Sequence, residues 1–221
     1  MTLRTFAAPV TSLLLALSVH TPAQAAGPVL HNTGTGLVSN DVDPHYTIVG
    51  SPVFGPNAYV KTEADGPPIS AGGWLLDSPA SAWLAPSTRF DFGDIPGITD
   101  DITYQTSFDL SGFQTSGGSI TGRWAADDTG LEIRLNGVAV PGLALARYDD
   151  WTPFTITSGF VDGLNTLSFS TRSTLNPTGL RVEFTASEFI PAVPEPGSWA
   201  LMFSGLLAVG GLARRRTHAQ A

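Results

Sequence analysis

Residues 101–110 read D-I-T-Y-Q-T-S-F-D-L, and the fold class follows from this stretch. Its side chains alternate between two types, which is the period of two of a β-strand with one buried face. The side chains that would share the buried face are Ile102, Tyr104, Thr106, Phe108 and Leu110. Such a strand needs a sheet around it, so this stretch predicts a β-rich body.

The sequence that follows contains more alternating runs separated by turn signals. Asn136 and Gly137 lie between two such runs and predict a tight β-hairpin, because both residues tolerate positive φ. Further strands are predicted at residues 119–125, 131–135, 138–140, 154–156, 165–171 and 180–185. This spacing is typical of an antiparallel sandwich. The predicted fold class is therefore all-β, with two antiparallel sheets.

The sequence before residue 101 is less regular. Residues 27–73 are rich in Gly, Pro, Asn, Asp and Ser, and prolines limit strands there to short pieces or edges. Short apolar runs at residues 46–49 and 53–60 are candidate strands. Residues 74–76, 82–84 and 89–92 are also predicted as short strands, because turn residues separate them.

The C-terminal region contains an apolar run at residues 199–213, preceded by V-P-E-P-G and followed by three arginines. As a helix, the run would span only about 22 Å, against about 30 Å for a hydrocarbon core. This length suits a transmembrane helix that anchors the chain only transiently. The arginines stay on the cytoplasmic side, so the body is predicted to lie beyond the inner membrane.

This three-part tail resembles the PEP-CTERM sorting tail of Gram-negative bacteria. The resemblance implies recognition by an exosortase, a membrane-embedded protease, in a bacterium that makes exopolysaccharide. It also implies an inner-membrane-anchored precursor, and then a location in the cell envelope, on the outer surface or outside the cell. An ordinary single-pass anchor is the alternative. The residues implied in recognition and in stopping transfer are Pro194, Glu195, Pro196, Arg214, Arg215 and Arg216.

The N-terminal 25 residues are predicted to form the helix of a secretory signal peptide. Arg4 precedes an apolar stretch at residues 6–19, and Ala23 and Ala25 form a small-residue cleavage pattern. Cleavage is expected after Ala25; a buried core helix is the alternative. The predicted organisation is a signal peptide at 1–25, a β-sandwich domain at 26–192 and a sorting tail at 193–221.

The body between the two signals is acidic and contains no cysteine. Without the signals it has 7 basic and 18 acidic residues, a net charge of −11. Such a body repels phosphate backbones, so nucleic-acid binding is not expected. A bound Ca²⁺ would suit the acidic surplus, and Asp127 and Asp128 are the candidate ligands. The alternative is that both are turn residues.

Residues 122–184 resemble galactose-binding-like jelly-roll domains. The order of segments that carries this resemblance is R-W-A-A-D-D-T-G, L-E-I-R-L-N-G, W-T-P-F-T-I, D-G-L-N-T-L-S-F and G-L-R-V-E-F. In such domains an acidic turn precedes a strand that ends in Asn-Gly. The resemblance implies a sandwich whose loops at one end often bind sugars.

Aromatic residues are the candidate ligand-binding groups. Trp124 lies within a strand pattern and is predicted to be buried. Trp151 lies in a predicted loop beside Tyr148, Asp149 and Asp150, where an indole ring edged by acceptors could stack on a sugar. Core packing is the alternative for Trp151.

Catalysis is not expected from this sequence. It contains no G-x-S-x-G motif, and the body has only His31 and His45, which are predicted to be exposed loop residues. We therefore predict a non-enzymatic exported protein that binds carbohydrate, such as exopolysaccharide. The alternative is a structural surface or matrix protein without a ligand site.

Overall fold

The computed structural model describes residues 27–51, 53–89, 101–174, 177–192, 202–207 and 209. These residues form one antiparallel sheet of ten strands, in the order β7-β6-β9-β4-β1-β2-β3-β10-β5-β8. The strands are β1 (Val42–Val49), β2 (Asn57–Lys61), β3 (Trp83–Ala85), β4 (Asp101–Asp109), β5 (Ser119–Asp127), β6 (Thr129–Leu135), β7 (Val138–Ala139), β8 (Thr152–Ile156), β9 (Leu164–Arg172) and β10 (Gly179–Glu188).

The sheet curls so that its two halves face each other across one core. Trp124 on β5 lies 5.8 Å from Phe169 on β9, and Phe154 on β8 lies 6.1 Å from Phe169, measured between ring centroids. The two edges of the sheet are the short strands β7 and β8, and β8 contains Pro153. The all-β prediction is confirmed. The two-sheet jelly-roll arrangement is not confirmed, because strand pairing runs continuously through all ten strands.

The predicted central strand is confirmed as β4. Ile102, Tyr104, Thr106 and Phe108 are buried, while the residues that alternate with them are exposed or half-buried. All nine residues of β4 pair with β9 without a break in register. The period of two in the sequence therefore sets which face of β4 is turned to the core.

The predicted hairpin is also confirmed. Asn136 and Gly137 have φ values of 52° and 80°, and they connect β6 to β7. The side-chain amide of Asn136 donates to Asn165 Oδ1 at 2.9 Å. This bond ties the hairpin to the start of β9.

Residues 62–82, the covering loop, differ most from the prediction. Residues 74–76 are not a strand; instead, Trp74 packs with Trp83 and Ala125 on the outer face of β3, β10 and β5. This loop buries Arg181 and Glu183, so the polar and the apolar residues that alternate in this part of β10 are both buried. The sheet thus has a second, small core on its outer side here.

Tyr104 provides a test of the main core. Its hydroxyl is buried and has no hydrogen-bond partner among the described residues. We therefore expect Tyr104→Phe to raise the free energy of unfolding by about 1 kcal/mol, because the variant lacks a buried hydroxyl that forms no hydrogen bond. Urea denaturation measures the change. Tyr46→Phe is the matched control: the Tyr46 hydroxyl donates to His31 O at 2.8 Å, so this variant is expected to lose stability. A loss in both variants would contradict the prediction.

The two sorting signals lie largely outside the described residues. The signal peptide with Ala23 and Ala25, the Pro194–Glu195–Pro196 element and the three arginines are not described. Residues 202–207 of the apolar run are helical. Within the described part of the chain, no helix is long and apolar enough to cross a membrane.

Candidate functional site

The predicted ligand residues lie in the loop that leads into β8. Tyr148 O accepts a hydrogen bond from Leu75 N at 3.1 Å, which ties this loop to the covering loop. Asp149 pairs with Arg147 at 3.1 Å, and Asp150 Oδ1 accepts from Trp151 N at 2.7 Å. The four residues are therefore near each other, but two of their polar groups already have partners.

Trp151 is half-buried, and arginines lie against its ring. The guanidinium carbons of Arg123 and Arg181 lie 4.4 and 5.2 Å from the ring centroid. Such contacts stabilise a cation on an aromatic ring. A sugar that stacked on the same ring face would have to displace the half-exposed Arg123 side chain. Trp124, by contrast, is fully buried in the core, as predicted.

Beneath Trp151 lies a buried polar network around Arg181. Its guanidinium donates to Ser81 Oγ at 2.7 Å and to Leu76 O at 2.6 Å. Glu183 accepts from Ser81 Oγ at 2.7 Å and from Arg123 at 2.6 and 2.8 Å. Although burial raises the pKa of Glu183, hydrogen bonds from Ser81 and Arg123 hold this pKa below its usual value. These bonds fix the covering loop to β10.

The candidate metal ligands Asp127 and Asp128 belong to this same side of the sheet. Asp127 Oδ2 accepts from Trp74 Nε1 at 2.8 Å, and Asp128 Oδ2 accepts from Thr174 N at 2.5 Å. Burial, together with the neighbouring Asp128 carboxyl, raises the pKa of Asp127 to about 8. This raised pKa favours a proton held in a hydrogen bond between the two carboxyl groups. Among the described residues, no group of three or more His, Asp or Glu could hold a metal ion.

His31 and His45 are not both loop residues, as His45 lies in β1. Their rings stack at 3.4 Å with 6° between the planes, beside a cleft of about 280 Å³. Burial and the neighbouring His45 lower the pKa of His31. Asp43 lies close by, but its carboxylate oxygens accept from Gly34 N and His45 N at 2.8 Å.

A polar cleft of about 540 Å³ lies on the outer face of β4, β9 and β6. Its side chains form cross-strand rows: Thr103 pairs with Ser170, and Ser170 pairs with Glu132. Thr103 Oγ1 and Ser170 Oγ are 3.0 Å apart, and Gln105 Nε2 donates to Ser168 Oγ at 3.1 Å. The floor of the cleft is therefore a grid of three hydroxyl groups, those of Thr103, Ser168 and Ser170.

Two ion pairs flank this grid. Arg172 Nε lies 2.9 Å from Asp101 Oδ1, and Arg134 Nε lies 2.6 Å from Glu132 Oε1. All four side chains are at least one-third exposed. The sequence prediction missed this cleft. Its only sequence signal is that most outward positions of β4, β6 and β9 are polar or charged, as on any solvated strand.

The last residues of the body before the sorting tail, 190–192, are hydrogen-bonded to the turn at residues 112–114. Gln114 N donates to Ile190 O, and Ala192 N donates to Gly112 O, both at 2.8 Å. Phe113 and Pro191 form an isolated β-bridge. The chain thus stays on the folded body up to Ala192, two positions before Pro194 of the Pro-Glu-Pro element.

Residues 192–216 match the family model of the PEP-CTERM protein-sorting motif. The chain therefore carries a PEP-CTERM sorting motif. This motif implies an exported protein that exosortase processes, with a membrane-anchored precursor and a location in the envelope or on the surface. The match begins at Ala192, where the body ends.

The body has no such match. No curated protein and no solved structure matches the chain. The resemblance of residues 122–184 to galactose-binding-like domains is not confirmed.

Proposed function

We propose that the exported domain binds polysaccharide in the polar cleft and does so without catalysis. The observation that supports this proposal is the grid of hydroxyl groups on β4 and β9 between two exposed arginines. A serine or threonine hydroxyl both donates and accepts, and sugar hydroxyls need both kinds of partner. A cleft of about 540 Å³ has room for a short stretch of glycan.

The arginines give the cleft a preference for acidic glycans. A guanidinium group binds a carboxylate through two parallel hydrogen bonds. Arg134 and Arg172 now pair with Glu132 and Asp101, but exposed pairs of this kind contribute at most about 1 kcal/mol. A uronate carboxylate can therefore replace Glu132 or Asp101 as the arginine's partner with only a small loss of free energy.

The non-enzymatic part of the proposal rests on the same ion pairs. A glycosidase needs one carboxyl group as acid and another as base or nucleophile. In the cleft, Asp101 and Glu132 each lie within 2.9 Å of an arginine nitrogen. This arrangement suits ligand binding rather than proton transfer.

The loop around Trp151 is the second candidate site. Its partly exposed indole ring is the observation that favours it, and Arg123 against that ring is the observation that disfavours it. The third alternative is a structural surface protein without a ligand site. One experiment separates the three.

Affinity electrophoresis in gels that contain acidic or neutral polysaccharide tests the proposal. We expect the double variant Arg134→Ala/Arg172→Ala to bind an acidic polysaccharide at least about tenfold more weakly, because charge-assisted bonds are lost. Arg147→Ala is the matched control, since Arg147 is exposed, pairs with Asp149 and lies beside the Trp151 loop.

Each result selects one alternative. Loss of binding in Trp151→Ala but not in the double variant would place the ligand at the Trp151 loop. Absence of binding to every polysaccharide would favour the structural role. Release of reducing sugar by the protein would overturn the non-enzymatic assignment.

A further inference from the structure

Three segments meet at the end of the domain from which the tail leaves. The turn at residues 110–114 bonds to residues 190 and 192, and Leu110 N donates to Gly163 O at 2.9 Å. Phe160 and Phe189 pack edge to face, with ring centroids 4.9 Å apart. Residues 110–114, 160–164 and 189–192 therefore form one surface, which we call the exit surface.

Exposed aliphatic side chains lie on this surface. Val161, Leu164 and Ile190 are 47, 67 and 61% exposed. Other exposed aliphatic residues lie elsewhere, such as Leu145 at 60%. The three residues differ from Leu145 in their position beside the point where the chain leaves the body.

The length of the connecting chain limits where this surface can be in the precursor. Ala192 is hydrogen-bonded to the body, and the apolar run begins at Trp199, so six residues separate them. The seven Cα–Cα steps from Ala192 to Trp199 extend to about 25 Å at most. Ala192, at the edge of the exit surface, therefore cannot lie farther than this from the start of the apolar run.

The charge of the exit surface indicates the kind of contact. Its charged neighbours Asp109, Asp162 and Glu188 are acidic. An anionic surface would repel them, so the contact must come from the aliphatic side chains and a surface without net charge. Zwitterionic phospholipid has these properties.

We propose that the exit surface faces the inner membrane in the precursor, with Val161, Leu164 and Ile190 in contact with the lipid interface. The end of the domain that carries Trp151 and the Asp101–Arg172 end of the cleft then point away from the lipid. Processing releases the tail and, with it, this contact. The inference goes beyond polysaccharide binding and does not depend on it.

The chain contains no cysteine, so a single introduced cysteine can be labelled specifically. The full chain is reconstituted into phosphatidylcholine and phosphatidylethanolamine vesicles that contain a spin-labelled lipid. A fluorophore on Leu164→Cys is expected to be quenched several-fold more than one on Leu145→Cys. These positions match in exposure but lie at opposite ends of the strands, because Leu164 pairs with Asp109 whereas the neighbour of Leu145 bridges to Gly130.

A second variant separates apolar contact from simple tethering. Leu164→Asp together with Ile190→Asp should lower the quenching of a label on Val161→Cys several-fold, whereas Leu145→Asp should leave it unchanged. Added salt should have no effect, since the contact is apolar. Equal quenching at positions 164 and 145, or cross-linking of position 164 to a second copy without lipid quenching, would overturn the proposal.

Discussion

Replacement of Arg181 with methionine is expected to lower the free energy of unfolding by about 3–5 kcal/mol, the usual loss when one member of a buried charged network is removed. Arg181 is 1% exposed. Its guanidinium donates to the carbonyl oxygens of Leu75, Leu76 and Ser81. Methionine fills much of the same space but leaves these carbonyls without their donor, so the covering loop keeps only its hydrogen bonds to Glu183 as a polar attachment to β10.

Urea denaturation of the purified protein measures the change. Arg172→Met is the matched control, because Arg172 also belongs to an ion pair, with Asp101, but is 52% exposed. The control should lose no more than about 1 kcal/mol. A loss of similar size in both variants would mean that burial of the Arg181 network does not determine its contribution.

Replacement of Asp127 with asparagine is expected to change how stability depends on pH. Burial, then the hydrogen bond with Asp128 and its charge, raise the pKa of Asp127 from 3.8 to about 8, while the Trp74 N–H opposes this shift. Between these two pH values the folded protein keeps a proton that the unfolded chain releases. The free energy of unfolding therefore falls as pH rises through this range, by up to about 1.4 kcal/mol per unit.

The asparagine variant should not show this fall. Its side-chain oxygen can accept from Trp74 Nε1 and its amide can donate to Asp128, and it does not ionise. We expect Asp127→Asn to resemble the wild-type protein near pH 4 and to be several kcal/mol more stable near pH 8. Denaturation across this range measures the difference, with the exposed Asp162→Asn as control. A difference between Asp127→Asn and wild type that stays constant with pH would contradict the assignment.

The sequence predicted those features of the fold that depend on local pattern. Alternation at β4 gave the buried face, and Asn136–Gly137 gave the hairpin. β10 also alternates between polar and apolar residues, but there Arg181 and Glu183 are buried as well as Leu180 and Val182. Alternation reports which residues share a face, but it does not report that a distant loop covers the polar one.

The candidate sites show the same limit. Asp101 and Arg172 meet in the cleft although 71 positions separate them, and only the β4–β9 register brings them together. No local motif marks such a pair. The four residues around Trp151 were identified as a site because they adjoin in sequence, and their role as ligand residues stays a prediction. The sorting motif was predictable because its three parts are contiguous.

The edges of the sheet determine whether closely spaced copies of the domain can pair through their strands. β7 has only two residues, and Pro153 in β8 has no backbone N–H. Long, flat edges are templates on which strands from neighbouring molecules add and begin aggregation. With such short and interrupted edges, densely displayed copies of this domain are expected to remain separate molecules rather than join into fibrils.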